Sequence, residues 1–141
     1  MITENNLRLD NRTIVITGAA GFLGASISSS LAMLGCDLIL IDINNKALKS
    51  LKDKIQKNNP CNIKIFKADL TIDKDILKIV TYIKSNKLDI NGLVNAIGMV
   101  GTSTTKGWNT TFDKQDKTSW QKAMNTNLTS IFFFIQKIQK F

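Results

Sequence analysis

The sequence predicts an α/β fold, a doubly wound parallel sheet with strand order 3-2-1-4. Three observations point there. Short β-branched runs alternate with longer amphipathic stretches, a glycine-rich turn follows the first run, and an acidic residue ends the second.

Thr13 to Thr17 is a run of strand length, closed by Gly18. Phe22, Leu23, Ile27, Leu31 and Leu34 then recur at helical spacing until Gly35 stops the helix. Asp37 to Ile41 is the second strand. Asn44 or Asn45 caps a helix running to about Lys57, with Leu48, Leu51 and Ile55 on one face. Pro60 breaks it, and Asn62 to Lys67 is the third strand. Thr71 and Asp73 open a third helix in which Ile76, Ile79, Val80 and Ile83 repeat. Leu93 to Ile97, nearly all apolar, reads as a fourth strand covered on both faces. The polar stretch from Gly101 to Lys117 is long enough to suggest a function of its own. Thr118 or Ser119 caps a last helix that reaches the end of the chain. Residues 1–11 read as an N-terminal tail and 12–141 as one domain. Right-handed crossovers set the strand order and place a ligand crevice beyond the carboxyl ends of strands one and four.

Composition narrows the function classes. The chain has 141 residues, 43% of them hydrophobic and 21% charged, as expected of a packed domain. No apolar run approaches the ~20 residues of a spanning helix, and the N-terminus shows no signal-peptide pattern, so a cytoplasmic protein without membrane association is expected. The absence of His rules out Ser-His and Cys-His nucleophiles. Cys36 and Cys61 form no Cys-x-x-Cys pair, so they read as reduced structural thiols and no metal site is expected. The net charge of +8 is carried by lysines scattered along the chain, with only Arg8 and Arg12 as arginines. Aromatics are not interleaved with them, which disfavours nucleic acid.

The chemistry lies in the turns. Thr17-Gly-Ala-Ala-Gly-Phe-Leu-Gly24 follows the first strand and opens the first helix. Gly18 permits the tight turn, Gly21 or Ala20 keeps the backbone low beneath a pyrophosphate, and Gly24 lets the helix pack close. Asp42 ends the second strand about 20 residues further on, where a carboxylate accepts hydrogen bonds from ribose hydroxyls. No Arg or Lys adjoins it, which favours NAD over NADP. The pattern is that of an incomplete Rossmann fold.

Together with Asp69-Leu70, Leu93-Val-Asn-Ala-Ile-Gly98, Trp120 and Asn127-Leu128, these motifs resemble the short-chain dehydrogenase/reductase family from Arg12 to the last residue. The resemblance implies an oxidoreductase exchanging hydride between a nicotinamide cofactor and a small alcohol or ketone. It implies that Gly18, Gly21, Phe22, Leu23, Gly24 and Asp42 bind the cofactor, that Asp69 holds the adenine amino group, and that Leu70 lines the adenine pocket. Asn95, Ala96 and Gly98 would back the cofactor. Asn127, the family's helix Asn, would kink its helix and serve the catalytic proton relay. Full-length members are expected to be homo-oligomers, with the Phe132 to Ile135 run in that interface.

There are departures. Phe22 stands where glycine is usual, and Asn95-Ala-Ile-Gly98 replaces Asn-Asn-Ala-Gly. The family's Ser and Tyr-x-x-x-Lys are missing: the single tyrosine, Tyr82, is followed four residues later by Asn86. The chain thus reads as the N-terminal half of a dehydrogenase, or else as a non-catalytic nucleotide-binding module or pseudogene product. The Thr-rich phrase Gly101 to Asn109, with Trp108, suits a sugar-like substrate and is similar to members linked to flagellin modification and surface glycans.

Overall fold

Four parallel strands and five α-helices carry the chain in a computed structural model that describes residues 8–99, 107–108 and 110–141. The strands are β1 (Thr13–Thr17), β2 (Asp37–Asp42), β3 (Ile63–Lys67) and β4 (Ile90–Asn95), in the order β3-β2-β1-β4. Helices α1 (Phe22–Met33), α2 (Asn45–Gln56) and α3 (Asp73–Ser85) make the crossovers. A 3-10 turn at Phe112–Lys114 precedes α4 (Lys117–Met124), a π-helical stretch (Asn125–Thr129) and α5 (Ser130–Ile138). The expected fold class and strand order are both present.

Alternation along the strands makes two core layers. Ile16, Leu38, Leu40 and Ile63 face Leu48, Leu51 and Ile55 of α2 together with Ala32 of α1. Val15, Ile39 and Ile41 face Ile76, Ile79 and Ile83 of α3 and Phe134 and Ile138 of α5. Residues one apart in a strand point to opposite faces, so a strand between two helical layers is apolar at every position. α2 begins as expected, with the Asn44 side chain accepting from the Ala47 amide at 3.1 Å.

Two boundaries differ from expectation. β4 runs Ile90–Asn95 instead of Leu93 to Ile97. It starts at Ile90, opposite Thr13, with a register shift between Thr13 and Ile14, and the Asn91 side-chain oxygen at the shift accepts from the Thr13 amide at 2.8 Å. It ends at Asn95 because β1 ends at Thr17: the Ala96 amide still donates to the Thr17 carbonyl at 3.1 Å, and Ala96 and Ile97 then flank the Gly18 turn. β4 is also an edge strand, only partly covered. The last helix is capped by Asp116, whose carboxylate accepts from the Ser119 amide at 2.8 Å, instead of by Thr118 or Ser119. No described helix is long and apolar enough to cross a membrane.

Candidate functional site

Gly18 turns β1 into α1 with φ +64°, and a Cβ there would lie 2.5 Å from the Ala96 carbonyl oxygen. The β1 and β4 ends therefore approach more closely than any side chain allows. Gly24 is buried one turn into α1, where a Cβ would collide with the Gly18 carbonyl oxygen. The hydroxyl of buried Thr17 donates to the Asn95 side-chain oxygen at 3.3 Å, so Asn95 ties the two strand ends together.

Beyond these ends opens a groove of about 610 Å³. Gly18 and Gly21 line it beneath the start of α1, Asp42 and Asp69 line it from the ends of β2 and β3, and Ala96 and Gly98 line it after β4. Six residues expected in the site are thus brought together. Phe22 and Leu23, also expected there, do not line it, and their side chains are 93% and 66% exposed. α1 starts after Gly21 without a side-chain cap, and the first amides of a helix have no partner within it, so they are free to meet a ligand.

The Asp42 carboxylate is fixed from two sides. One oxygen accepts from the Ala20 amide at 3.0 Å and the other from the Asn44 amide at 2.8 Å, leaving each with a further lone pair. One oxygen of Asp69 accepts from the amide and hydroxyl of Thr71 at 2.9 and 2.7 Å. The Asp69 amide donates to Asp75 at 3.0 Å. Asp75 also takes a 2.7 Å bond from Lys78, and these two contacts, Lys78 first, hold its carboxyl below the usual range. Leu70 faces the core and is 2% exposed, so only its backbone stands between the groove residues Asp69 and Thr71.

Asn127 lies in the π-helical stretch. Its side-chain oxygen accepts from the Met99 amide at 2.6 Å and its amide group donates to the Met99 carbonyl at 3.3 Å. It binds Met99 as a neighbouring strand would, and so fastens the exit of β4 to the last helix. The π geometry sits where the sequence anticipates a kink.

Ile43, Met99, Lys122 and Thr126 also line the groove and were not anticipated. Ile43 had a usable signal, being the residue after the strand-end acid. Lys122 and Thr126 had one in their mutual i, i+4 spacing, which puts them on one face of the helix that leads into Asn127. Residues 101–106 and 109, most of the Thr-rich phrase, lie outside the described residues. Trp108 packs on Trp120 with ring centroids 6.3 Å apart. Tyr82 stacks edge-on against Phe66 at 5.3 Å, under the Lys64 ammonium, and does not line the groove.

The donor set fits a dinucleotide: free helix-start amides for phosphates, an anchored carboxylate for ribose, and glycines where a backbone must stay low. At Gly98 a Cβ would meet nothing within 4 Å, so its absence leaves room in the groove. A model of the short chain dehydrogenase family matches residues 12–141.

The chain belongs to the short-chain dehydrogenase family.

It is 25% identical over 133 residues to an uncharacterised oxidoreductase of Staphylococcus saprophyticus, covering 94% of this chain and 53% of that one. It is 29% identical over 98 residues to the 7alpha-hydroxysteroid dehydrogenase of Escherichia coli K12, covering 70% and 38%. The structure of a proposed D-mannonate oxidoreductase from Haemophilus influenza with bound NAD superposes with a TM-score of 0.81 at 22% identity, covering 97% and 52%. The chain spans about half the length, or less, of these dehydrogenase relatives. Members of the short-chain dehydrogenase family are oxidoreductases that use a nicotinamide cofactor.

Proposed function

We propose that this short-chain dehydrogenase chain binds NAD in the groove beyond β1 and β4, as the cofactor-binding part of an enzyme interconverting an alcohol and a ketone. The observation that carries the reading is Asp42, held by the Ala20 and Asn44 amides at the groove with lone pairs to spare. Ribose hydroxyls donate to that carboxylate, whereas a 2′-phosphate is repelled by it. The α1 amides hold the pyrophosphate, Asp69 accepts from the adenine amino group with its remaining oxygen, and Gly98 leaves the nicotinamide end uncrowded. Asn127 fixes the Met99 backbone and so holds one side of the crevice rigid. The bound nicotinamide supplies a site that accepts or donates hydride.

For substrate we favour a hydroxylated, sugar-like molecule, supported by the Thr, Asn and Trp content of residues 101–109. A cytoplasmic homo-oligomer is the expected full-length form, supported by the exposed Phe132 and Phe133 on α5. A second reading, a nucleotide-binding module without catalysis, is favoured by one observation: the described residues bring no tyrosine to the groove.

Calorimetric titration with NAD and NADP tests the reading. NAD should bind at least about tenfold tighter, and Asp42→Ala should shrink that ratio. Equal affinities, or a preference for NADP, would count against the assignment. Binding with no turnover on a panel of polyols and ketoses favours the second reading.

A further inference from the structure

At the end of the sheet opposite the groove, Cys36 and Cys61 are neighbours. β2 and β3 pair in parallel with Leu38 opposite Ile63, and that register, carried two residues back past both strand starts, sets Cys36 against Cys61. The pairing holds to that end. The Leu38 amide donates to the Asn62 carbonyl at 2.8 Å, and the Asp37 carboxylate accepts from the Asn62 amide at 2.8 Å and from its side chain at 3.0 Å. Alternation places Cys36 on the face of Leu38 and Leu40, and Cys61 on the face of Ile63 and Ile65. All six belong to one packed layer. Neighbouring strands lie about 4.8 Å apart, inside the roughly 4.4–6.8 Å between Cα atoms that a disulfide spans. Each thiol is free in the structure. Burial, then Asp37, Asp10 and Cys61, push the Cys36 thiol up.

We infer that Cys36 and Cys61 are a reversible dithiol/disulfide pair that locks the start of β2 to the start of β3. Cys36 is fully buried whereas Cys61 is partly exposed, so exchange enters at Cys61. With a low-molecular-weight disulfide such as oxidised glutathione, the Cys61 thiolate attacks one sulfur, forming a mixed disulfide and expelling one glutathione thiolate. The Cys36 thiolate then attacks the Cys61 sulfur and expels the second. The protein loses two electrons and two protons, and two glutathione molecules leave as thiols. Burial of Cys61, reinforced by Asp37, raises its thiol and slows the entry step. Proximity decides the product. The lock closes the β2-α2-β3 unit, whose far strand ends bear Asp42 and Asp69.

The test treats the intact chain with oxidised glutathione, folded and in denaturant, followed by intact-mass measurement and a non-reducing peptide map. The folded chain should lose two hydrogens, retain no glutathione, and join the Cys36 peptide to the Cys61 peptide. That product should exceed the mixed disulfide by roughly tenfold, because the neighbour's effective concentration exceeds that of millimolar reagent. The Cys36→Ser variant should instead retain one glutathione on Cys61, and in denaturant wild-type adducts should become prominent. A folded wild-type chain that keeps glutathione on Cys61, that links to a second chain, or that leaves both thiols unreacted would overturn the inference.

Discussion

Gly18 and Gly98 both lie at the groove, but for different physical reasons. Gly18 has φ +64° and no space for a Cβ, so Gly18→Ala meets both a left-handed backbone and the Ala96 carbonyl. It should cost more than about 2 kcal/mol in a denaturant titration. Gly98 faces open space. Gly98→Ala should leave stability within about 0.5 kcal/mol while weakening NAD binding roughly tenfold, because the added methyl occupies the ligand's volume and nothing else. Unchanged NAD affinity in Gly98→Ala would remove this glycine from the site. The glycine motif and Asp42 were legible in the sequence because a turn of this kind tolerates few residue types. Leu70 was legible only as part of a motif: its neighbours Asp69 and Thr71 line the groove while its own side chain packs in the core, a division that sequence does not show.

At the level of elements, Asn127 and Asp75 tie helices to the strand exits, and Asp116 caps α4. Replacing Asn127 by Leu orphans the Met99 amide and carbonyl. The expected loss is about 1–3 kcal/mol, read from thermal melts, with the π stretch tightening to α-helix. Asp75 is held below the usual range by Lys78 and then the Asp69 amide, and Asp116 by the Ser119 amide and hydroxyl. A carboxyl depressed on folding contributes stability that is complete above its unfolded pKa, roughly 4, and is lost as pH falls through the folded value. Acid unfolding should therefore start below roughly pH 4, and Asp75→Asn should flatten the stability curve there. A curve identical to the wild type would show that Asp75 does not couple to folding. β1, β2, β3 and their helices were readable because strands covered on both faces are apolar runs. β4 was misplaced because its early residues include Asn91 and Gly92, while apolar Ala96 and Ile97 follow its last residue. The cap at Asp116 was one element turn away from the Thr118-Ser119 signal, and the pairing of Cys36 with Cys61 exists only once strand register is known.

For the molecule as a whole, two core layers are complete and one edge is bare. Phe134 fills the layer under β1 and β4 and is fully buried, so Phe134→Ala should cost about 3–5 kcal/mol. The β3 edge carries Lys64 and Lys67, whereas β4 carries no charge and no described strand pairs with its outer side. Phe132, Phe133 and Ile135 of α5 are exposed nearby, at 55%, 48% and 40%. Such an edge and face promote association, so sedimentation of the chain alone should show self-association that Phe132→Glu and Phe133→Glu together relieve. A strictly monomeric wild-type chain would contradict this. The central claim, that the groove is an NAD site, is tested most directly by following backbone amide resonances during NAD titration. Shifts should cluster at residues 18–24, 42–43, 69–71 and 96–99 and spare Cys36 and Cys61 at the far end of the sheet. Shifts centred on the far end, or none at saturating NAD, would contradict it.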